Sequence, residues 1–408
     1  SPPKRTWSIK MKLNYRKTIY ACFIGYIVQA IVNNFVPLLF LTFQGSYGIP
    51  LSKITMLVTI NFGLQLAVDL ISMTFVDKIG YRASMVIAHL FAAAGMVLLT
   101  ILPEVSEDPF IGLLTAVTIY ALGGGLLEVL VSPIVEAVPT DNKEKSMSML
   151  HSFYCWGCVG FIAFSTLILF VLGAQRWRFL PFVWVLVPLV CGILFCRVPV
   201  RRLVEEEERI PVKSLAGQKI FWCLLVLMIC AGASEMGMSQ WTSYFAEMGL
   251  HVNKAVGDLL GACSFCVLMG LARLYYGKSS GDMPIRKFMA GSYVLCMFSY
   301  GLTVFAPHPL LGLLGCALCG LSVGVLWPGT FSMAARECRA GGTALFALLA
   351  LAGDIGCVTG PAAVSQAAGI FPQYGIKAGL LIAVIFPTVG LVLTVCCHQS
   401  RESKESLY

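Results

Sequence analysis

Long apolar stretches recur along the whole chain, separated by short polar connections. Each stretch runs for about 18 to 27 residues, enough for an α-helix to cross a hydrocarbon core of about 30 Å. Hydropathy and helix-breaking residues together predict twelve membrane helices. Their predicted ranges are 18–43, 53–76, 83–102, 110–137, 147–172, 179–197, 218–248, 255–276, 287–305, 310–334, 343–370 and 378–397. The predicted fold class is an all-α membrane protein.

The longest polar connection divides the chain into two halves of six helices. It contains Arg201, Arg202, the acidic run 205–208 and Lys213. This pattern predicts two pseudo-symmetric six-helix bundles. The predicted parts are an N-terminal segment 1–17, a first bundle 18–197, a central loop 198–217, a second bundle 218–397 and a tail 398–408.

The distribution of charge predicts the orientation. Only 12% of the 408 residues are charged, with a formal net charge of +8, and the predicted outer segments are poor in basic residues. They hold Lys53, Arg176, Arg178, Lys254 and Lys377. By the positive-inside rule both termini lie in the cytoplasm, and we expect a multi-pass protein of a bacterial plasma membrane. Topology then explains the positive charge, so no nucleic-acid partner is expected.

The sequence lacks the motifs of a pump or a membrane enzyme. It has no metal-ligand spacing, no phosphate-binding loop and no nucleophile elbow. Three C-x-x-C spacings occur, beginning at Cys155, Cys263 and Cys316, but all lie in apolar stretches where cysteine packs as a small hydrophobe. We therefore expect a monomer that is not an enzyme, with no cofactor and no metal.

Acidic residues lie deep inside several predicted helices, among them Asp69, Glu128, Glu235 and Asp354. A charge at mid-bilayer costs about 2.5 to 3.5 kcal/mol on insertion scales, so each needs a partner, a water-filled cavity or a function. The interiors of helices 3, 6, 9 and 12 carry no charge, which predicts lipid-facing scaffold helices around a central cavity. The alternative is that the acids are hydrogen-bonded pairs holding the bundle together.

Amide side chains follow a helical repeat in the first two predicted helices. Asn61, Gln65 and Asp69 are spaced by four residues, as are Gln29 and Asn33. Residues at this spacing share one helix face. Such amides either bind the hydroxyl groups of a solute or pair with each other across helices.

The fourth predicted helix combines three consecutive glycines, 123–125, with Glu128, Ser132 and Pro133. Glycine allows neighbouring helices to approach closely, and proline frees a backbone carbonyl one turn earlier. Desolvation disfavours the ionised form of a carboxyl group. Glu128 is therefore the leading candidate to pick up and release a coupling proton.

Aromatic and polar residues lie together in several later helices: His151 and Tyr154, Gln240 and Trp241, and Trp327. Aromatic faces beside amides suit a sugar, whose C–H groups stack while its hydroxyls form hydrogen bonds. The alternative is that these aromatic rings pack helices or lie at the membrane interface. His151 has three open interpretations: a structural hydrogen-bonded group, a proton relay or a metal ligand.

The segment Asp77–Arg82 resembles the D-R-x-G-R-R signature between helices 2 and 3 of the major facilitator superfamily. Lys78 and Tyr81 replace two of its arginines. In the second half, 273–277 resembles a copy of the motif without the aspartate. The resemblance implies twelve helices in two bundles that rock around a midplane site, with Asp77, Arg82 and Arg273 latching the cytoplasmic ends.

The fourth helix resembles that of the L-fucose–proton symporter branch, which carries a G-x-G-x-x-E-x-x-x-N-P pattern. Gly123, Gly125, Glu128 and Pro133 match it, and Ser132 stands at the asparagine. The resemblance implies that Glu128 takes part in proton coupling. A coupling aspartate of that carrier corresponds to Asn33, so the solute need not be fucose.

The sequence thus predicts a secondary transporter that moves a small polar solute, of the sugar class, by proton-coupled alternating access. The proposed proton-coupling residues are Glu128, Asp69, Glu235 and Asp354. The proposed substrate-binding residues are Gln29, Asn33, Gln65, His151, Tyr154, Gln240, Trp241 and Trp327. The alternatives are sodium coupling, a drug or metabolite exporter of the same fold, and a sensor that binds a ligand without moving it.

Overall fold

The structure is a computed structural model that describes residues 4–139, 143–200, 216–279, 284–338 and 342–405. Most of this part of the chain is α-helical. The helices are Lys4–Leu38, Phe40–Tyr47, Leu51–Ile79, Tyr81–Val105, Pro109–Ala137, Lys143–Leu172, Phe179–Trp184, Leu186–Arg197, Lys219–Ser239, Thr242–Gly249, Lys254–Gly257, Ser264–Ser279, Ile285–Phe305, Pro309–Val323, Leu326–Glu337, Gly342–Ile370, Ile376–Ala383 and Ile385–Glu405. A 3₁₀ turn covers Ala174–Arg176 and a π-helical turn covers Asp258–Cys263.

Twelve segments in the described residues are long and apolar enough to cross a membrane, which confirms the predicted number and fold class. We number them spans 1 to 12. They are Tyr15–Leu38, Leu51–Ser72, Tyr81–Val105, Pro109–Ser132, Met149–Leu172, Phe179–Arg197, Lys219–Met248, Lys254–Tyr276, Ile285–Phe305, Pro309–Ala334, Leu348–Ile370 and Ile376–Cys396.

The first predicted helix, 18–43, is shorter in the structure. Span 1 ends at Leu38, and a separate helix begins at Phe40. The break follows Pro37, which donates no backbone hydrogen bond and whose ring clashes with the carbonyl group one turn earlier.

The spans differ in how much of their surface is buried. Buried residues form 72% of the apolar window of span 1 and 67% of those of spans 4, 7 and 10, but only 39%, 39% and 33% for spans 6, 9 and 12. Spans 6, 9 and 12 are thus the most exposed, as expected of lipid-facing helices. Span 3 differs from that prediction and is half buried. The reason is close packing on span 4, since a Cβ added at Gly95 would lie 2.5 Å from the Tyr120 nitrogen.

The chain divides into two compact units, residues 1–205 and 206–408. The first contains spans 1 to 6 and the second contains spans 7 to 12. The predicted bundle limits, 18–197 and 218–397, stay a prediction. Most of the predicted central loop, residues 201–215, lies outside the described residues.

The first unit is tied together near the ends of its spans by Tyr47, Glu104 and Arg178. Arg178 forms an ion pair with Glu104, and the Tyr47 hydroxyl donates to Glu104 Oε1 at 2.8 Å. Burial raises the pKa of Tyr47, which therefore stays protonated and able to donate. These contacts join the connection after span 1, the end of span 3 and the connection before span 6.

The second unit is held by close contact between spans 7 and 11. A Cβ added at Gly356 would lie 2.2 Å from the Ile229 carbonyl oxygen, and one added at Gly360 would lie 2.4 Å from that of Ala233. Only glycine allows the two backbones to approach this closely. Span 7 is also interrupted, because one helix ends at Ser239 and the next begins at Thr242.

The described cysteines are all free thiols. Most are buried within the helical packing, whereas Cys196, near the end of span 6, and Cys396, at the end of span 12, are exposed.

Candidate functional site

Spans 1, 2 and 4 bring four amides and one carboxyl group of the first unit into a single hydrogen-bonded group. We call Gln29, Asn33, Asn61, Gln65 and Glu128 the amide network. The four amide residues are buried, with 1% to 6% of their surface exposed. The helical spacing noted in the sequence therefore places these side chains on inward faces of their helices.

Gln29 is the branch point of the amide network. Its Nε2 donates to Gln65 Oε1 at 2.8 Å and to Glu128 Oε2 at 3.1 Å. One amide side chain on span 1 thereby links a residue of span 2 to the carboxyl group of span 4. The neutral amide donors stabilise Glu128 in either protonation state, since each form keeps an oxygen that accepts.

Asn33 completes the amide network on the side away from Glu128. Its Oδ1 accepts from Gln65 Nε2 at 2.8 Å and from Asn61 Nδ2 at 3.2 Å, while its Nδ2 donates to the Tyr154 hydroxyl at 3.4 Å. Two acceptors, Gln29 Oε1 and Asn61 Oδ1, are buried and have no hydrogen-bond partner among the described residues. The network therefore retains capacity to accept hydrogen bonds from a bound hydroxyl group.

The consecutive glycines of span 4 make room for this arrangement. A Cβ added at Gly124 would lie 3.2 Å from Gln29 Oε1 and 3.3 Å from Gln65 Nε2, and one at Gly125 would lie 2.8 Å from Val68 Cβ. The nearest atom to that Cβ would be Val32 Cγ1, at 2.9 Å, so a larger side chain at Gly124 would crowd Val32 and press on both glutamines. These glycines thus set the contact distance between span 4 and the amide network.

Asp69 lies one helical turn beyond Gln65 and is partly buried. Its carboxyl group also interacts electrostatically with that of Glu128. Spans 2 and 4 thus each contribute one carboxyl group to this region. The structure thereby brings two of the four predicted proton-coupling residues together.

Tyr26 is a further member of this region that the sequence interpretation did not name. Its hydroxyl lies 2.9 Å from Ser132 Oγ, and its ring centroid lies 5.5 Å from that of His151 and 6.4 Å from that of Tyr154. Tyr26 precedes Asn33 by seven residues, two helical turns, which was the available sequence signal. His151 itself is exposed.

The second unit contains a buried ion pair between two predicted site residues. Arg273 Nη2 lies 3.4 Å from Glu235 Oε2 and 3.5 Å from Glu235 Oε1, with 12% and 5% of the two side chains exposed. Glu235 lies on span 7 and Arg273 on span 8. The sequence interpretation assigned these residues to different roles, coupling and gating, and did not foresee their contact.

The other predicted residues of the second unit are largely enclosed. Trp241 is fully buried, and its Nε1 donates to the Pro361 carbonyl oxygen at 3.3 Å. Gln240 is buried, and its Nε2 lies 3.7 Å from Met236 Sδ. Full burial favours the interpretation that Trp241 packs between helices. The predicted contact of Trp241 with a solute stays a prediction.

Trp327 packs on Gly353, the residue that precedes Asp354 in the sequence. Asp354 is buried, with 5% of its surface exposed. The ring of Trp327 packs on the preceding residue, since a Cβ added at Gly353 would lie 2.3 Å from its Cη2. Trp327 is only partly buried, so it is the more accessible of the two tryptophans proposed as binding residues.

The residues proposed for the cytoplasmic latch are only partly described. Arg82 is exposed, and its Nη2 donates to the Val198 carbonyl oxygen at 2.9 Å. This bond ties the beginning of span 3 to the end of span 6. The side chain of Asp77 lies outside the described part of the structure.

A charged cluster lies at the beginning of span 8, and the sequence interpretation did not identify it. Lys254 Nζ lies 3.2 Å from Asp258 and 3.7 Å from Glu247, and the Ser243 hydroxyl is hydrogen-bonded to Asp258. Asp258 is fully buried and begins the π-helical turn. The four-residue spacing of Lys254 and Asp258 was the available signal. The cluster joins the end of span 7 to span 8.

Comparison with known proteins identifies the architecture. The sequence model described as Major Facilitator Superfamily matches residues 21–361. No curated protein sequence matches the chain. The chain is similar in structure to a variant of the E. coli fucose:proton symporter FucP, with a TM-score of 0.66 and 14% identity over 93% of this chain and 98% of that one. A structure of FucP in the outward conformation matches with a TM-score of 0.65, 15% identity and the same coverage.

Proposed function

The chain belongs to the Major Facilitator Superfamily and is a multi-pass membrane transporter, and we propose that it carries a small polar solute of the sugar class together with protons. Movement would follow alternating access, in which the site opens to one side of the membrane at a time. The single observation that carries the proposal is the amide network, in which four buried amides form one hydrogen-bonded group with a carboxyl group inside a membrane span.

Amides suit a sugar-like solute because they both donate and accept hydrogen bonds without carrying a charge. The buried acceptors Gln29 Oε1 and Asn61 Oδ1 are available to solute hydroxyl groups. Tyr154, hydrogen-bonded to Asn33, adds an aromatic face. The remaining proposed binding residues are Gln65 and His151 in the first unit and Gln240, Trp241 and Trp327 in the second.

Glu128 is the proposed proton-binding residue, because it is the acid of the amide network and receives a hydrogen bond from Gln29. Asp69, its electrostatic neighbour, would share the proton. Glu235 and Asp354 are proposed as auxiliary acids of the second unit. Asp77, Arg82 and Arg273 are proposed to act at the cytoplasmic latch. The protein similar in structure is named a fucose:proton symporter, which supports the same chemistry here.

The first prediction concerns Glu128→Gln. This substitution keeps the size of the side chain and the acceptor for Gln29, but it removes the group that takes up the proton. In proteoliposomes with an imposed pH gradient, we expect solute accumulation to fall to the level of protein-free liposomes, while exchange of labelled for unlabelled solute continues.

The matched control is Glu107→Gln, which changes an exposed acid outside the spans and should leave accumulation unchanged. Unaltered accumulation by Glu128→Gln would exclude Glu128 as the coupling residue.

The solute is identified by a counterflow screen with hexoses, deoxyhexoses and lipophilic cations. We expect counterflow of one sugar class only. Transport of the lipophilic cations would instead indicate an exporter, and binding without flux would indicate a sensor. Replacing the pH gradient by a sodium gradient tests the coupling ion, since sodium-driven accumulation at equal pH would overturn proton coupling.

A further inference from the structure

A groove of about 460 Å³ lies between spans 8, 9 and 10 of the second unit. Apolar residues form nearly all of its walls, and Lys287 is the only charged residue among the described ones that line it. Leu271 and Tyr275 on one wall are 46% and 57% exposed, so the groove is open at the surface of the protein. That surface is the lipid-facing side of span 9, one of the least buried spans.

Gly291 creates the open space on the span 9 wall. No heavy atom lies within 4 Å of the position that a Cβ would take at this glycine. On span 9 the lining residues run from Lys287 to Leu295, a rise of about 12 Å at 1.5 Å per residue. One leaflet of a bilayer has a hydrocarbon thickness of about 15 Å, half of the whole core. The groove therefore has the length and polarity of a site for a lipid acyl chain.

The charge at the end of the groove points to the kind of lipid. Span 9 begins at Ile285, so the exposed Lys287 lies at the membrane boundary. The preceding residue, Arg286, is engaged with Glu337 at 2.6 Å. Lys287 has no such carboxylate partner within the described ranges and is available to an external anion. A basic side chain at the membrane boundary attracts anionic lipid headgroups.

We propose that this groove binds an anionic phospholipid, with one acyl chain along Gly291 and the headgroup phosphate on Lys287. The proposal is independent of the solute and of the coupling ion. It concerns only contacts within the second unit.

Native mass spectrometry of the detergent-purified protein tests this site. The probes are phosphatidylglycerol and phosphatidylcholine with identical acyl chains, added separately to wild type and variants. We expect tighter binding of phosphatidylglycerol to the wild type. Lys287→Ala should weaken that binding about fivefold, as removal of one basic contact near a membrane surface would, and leave phosphatidylcholine unaffected.

Gly291→Leu should weaken binding of both lipids, because its side chain fills the space of the acyl chain. Gly301→Leu is the matched control, since this glycine lies on the same helix and also has open space around its Cβ position. Water-soluble glycerol phosphate should not compete with phosphatidylglycerol. Equal affinities for the two lipids, an unchanged affinity in Lys287→Ala, equal effects of the two leucine variants, or competition by glycerol phosphate would each overturn the proposal.

Discussion

At the scale of single residues, the Glu235–Arg273 pair shows how a charge is accommodated within the spans. A buried ion pair costs desolvation energy on both sides, and removing one partner leaves the other uncompensated. The two partners are not equivalent in this respect. A carboxyl group can become neutral by taking up a proton, whereas a guanidinium group stays charged at any accessible pH.

We therefore predict that Glu235→Gln destabilises the protein more than Arg273→Gln does. The melting temperature of each purified variant in detergent provides the measurement.

The double variant Glu235→Gln/Arg273→Gln is the control for coupling between the sites. It should lose less stability than the sum of the single losses. Additive losses would show that the two residues do not stabilise each other, despite their contact.

At the scale of the elements, the packing of span 11 on span 7 depends on glycine backbone contacts. We predict that Gly356→Ala lowers the melting temperature by several degrees, because the added methyl group would lie 2.2 Å from the Ile229 carbonyl oxygen. Overpacking of this kind typically costs about 1 to 3 kcal/mol. Thermal unfolding in detergent gives the measurement.

Gly369→Ala is the control on the same helix, at an exposed position with no heavy atom within 4 Å of the Cβ site. It should melt at or slightly above the wild-type temperature, since alanine is the better helix former. A similar loss in both variants would place the cause in the helix itself and not in its contact with span 7.

Hydropathy predicted the elements well, because a membrane helix must be apolar over its whole length and every such run is visible in the sequence. It did not predict the breaks after Leu38 and Ser239. The break after Leu38 follows Pro37, a signal that the sequence does carry. The helix that ends at Ser239 contains no proline, and a break of that kind depends on which neighbouring groups receive the freed backbone hydrogen bonds.

The geometry of the candidate site could be predicted only in part. Helical spacing placed Gln29, Asn33 and Gln65 on common faces, and the structure joins them in one network. The partner of Glu235 was not predictable in the same way. Arg273 lies 38 residues further along, and their contact is set by the rotations of two helices, which hydropathy alone does not fix.

At the scale of the whole molecule, the distribution of basic residues predicts that both termini lie in the cytoplasm. A fluorescent protein fused after Tyr408 should therefore fold and fluoresce in bacterial cells, whereas alkaline phosphatase at the same place should be inactive. Alkaline phosphatase inserted after Gly173, in a predicted outer connection, should be active. The reverse pattern of the three reporters would mean that the protein is inserted the other way round.

The exposed thiols Cys196 and Cys396 offer a way to follow the molecule at work. They lie near the ends of the sixth and twelfth spans, and each belongs to a different unit. After replacement of the adjacent Cys397 and of the partly exposed Cys223 and Cys263 by serine, nitroxide spin labels attached to these two natural positions would report the separation of the units by pulsed electron paramagnetic resonance. Distance distributions recorded with and without solute would then reveal conformational exchange without rebuilding the protein on a cysteine-free background.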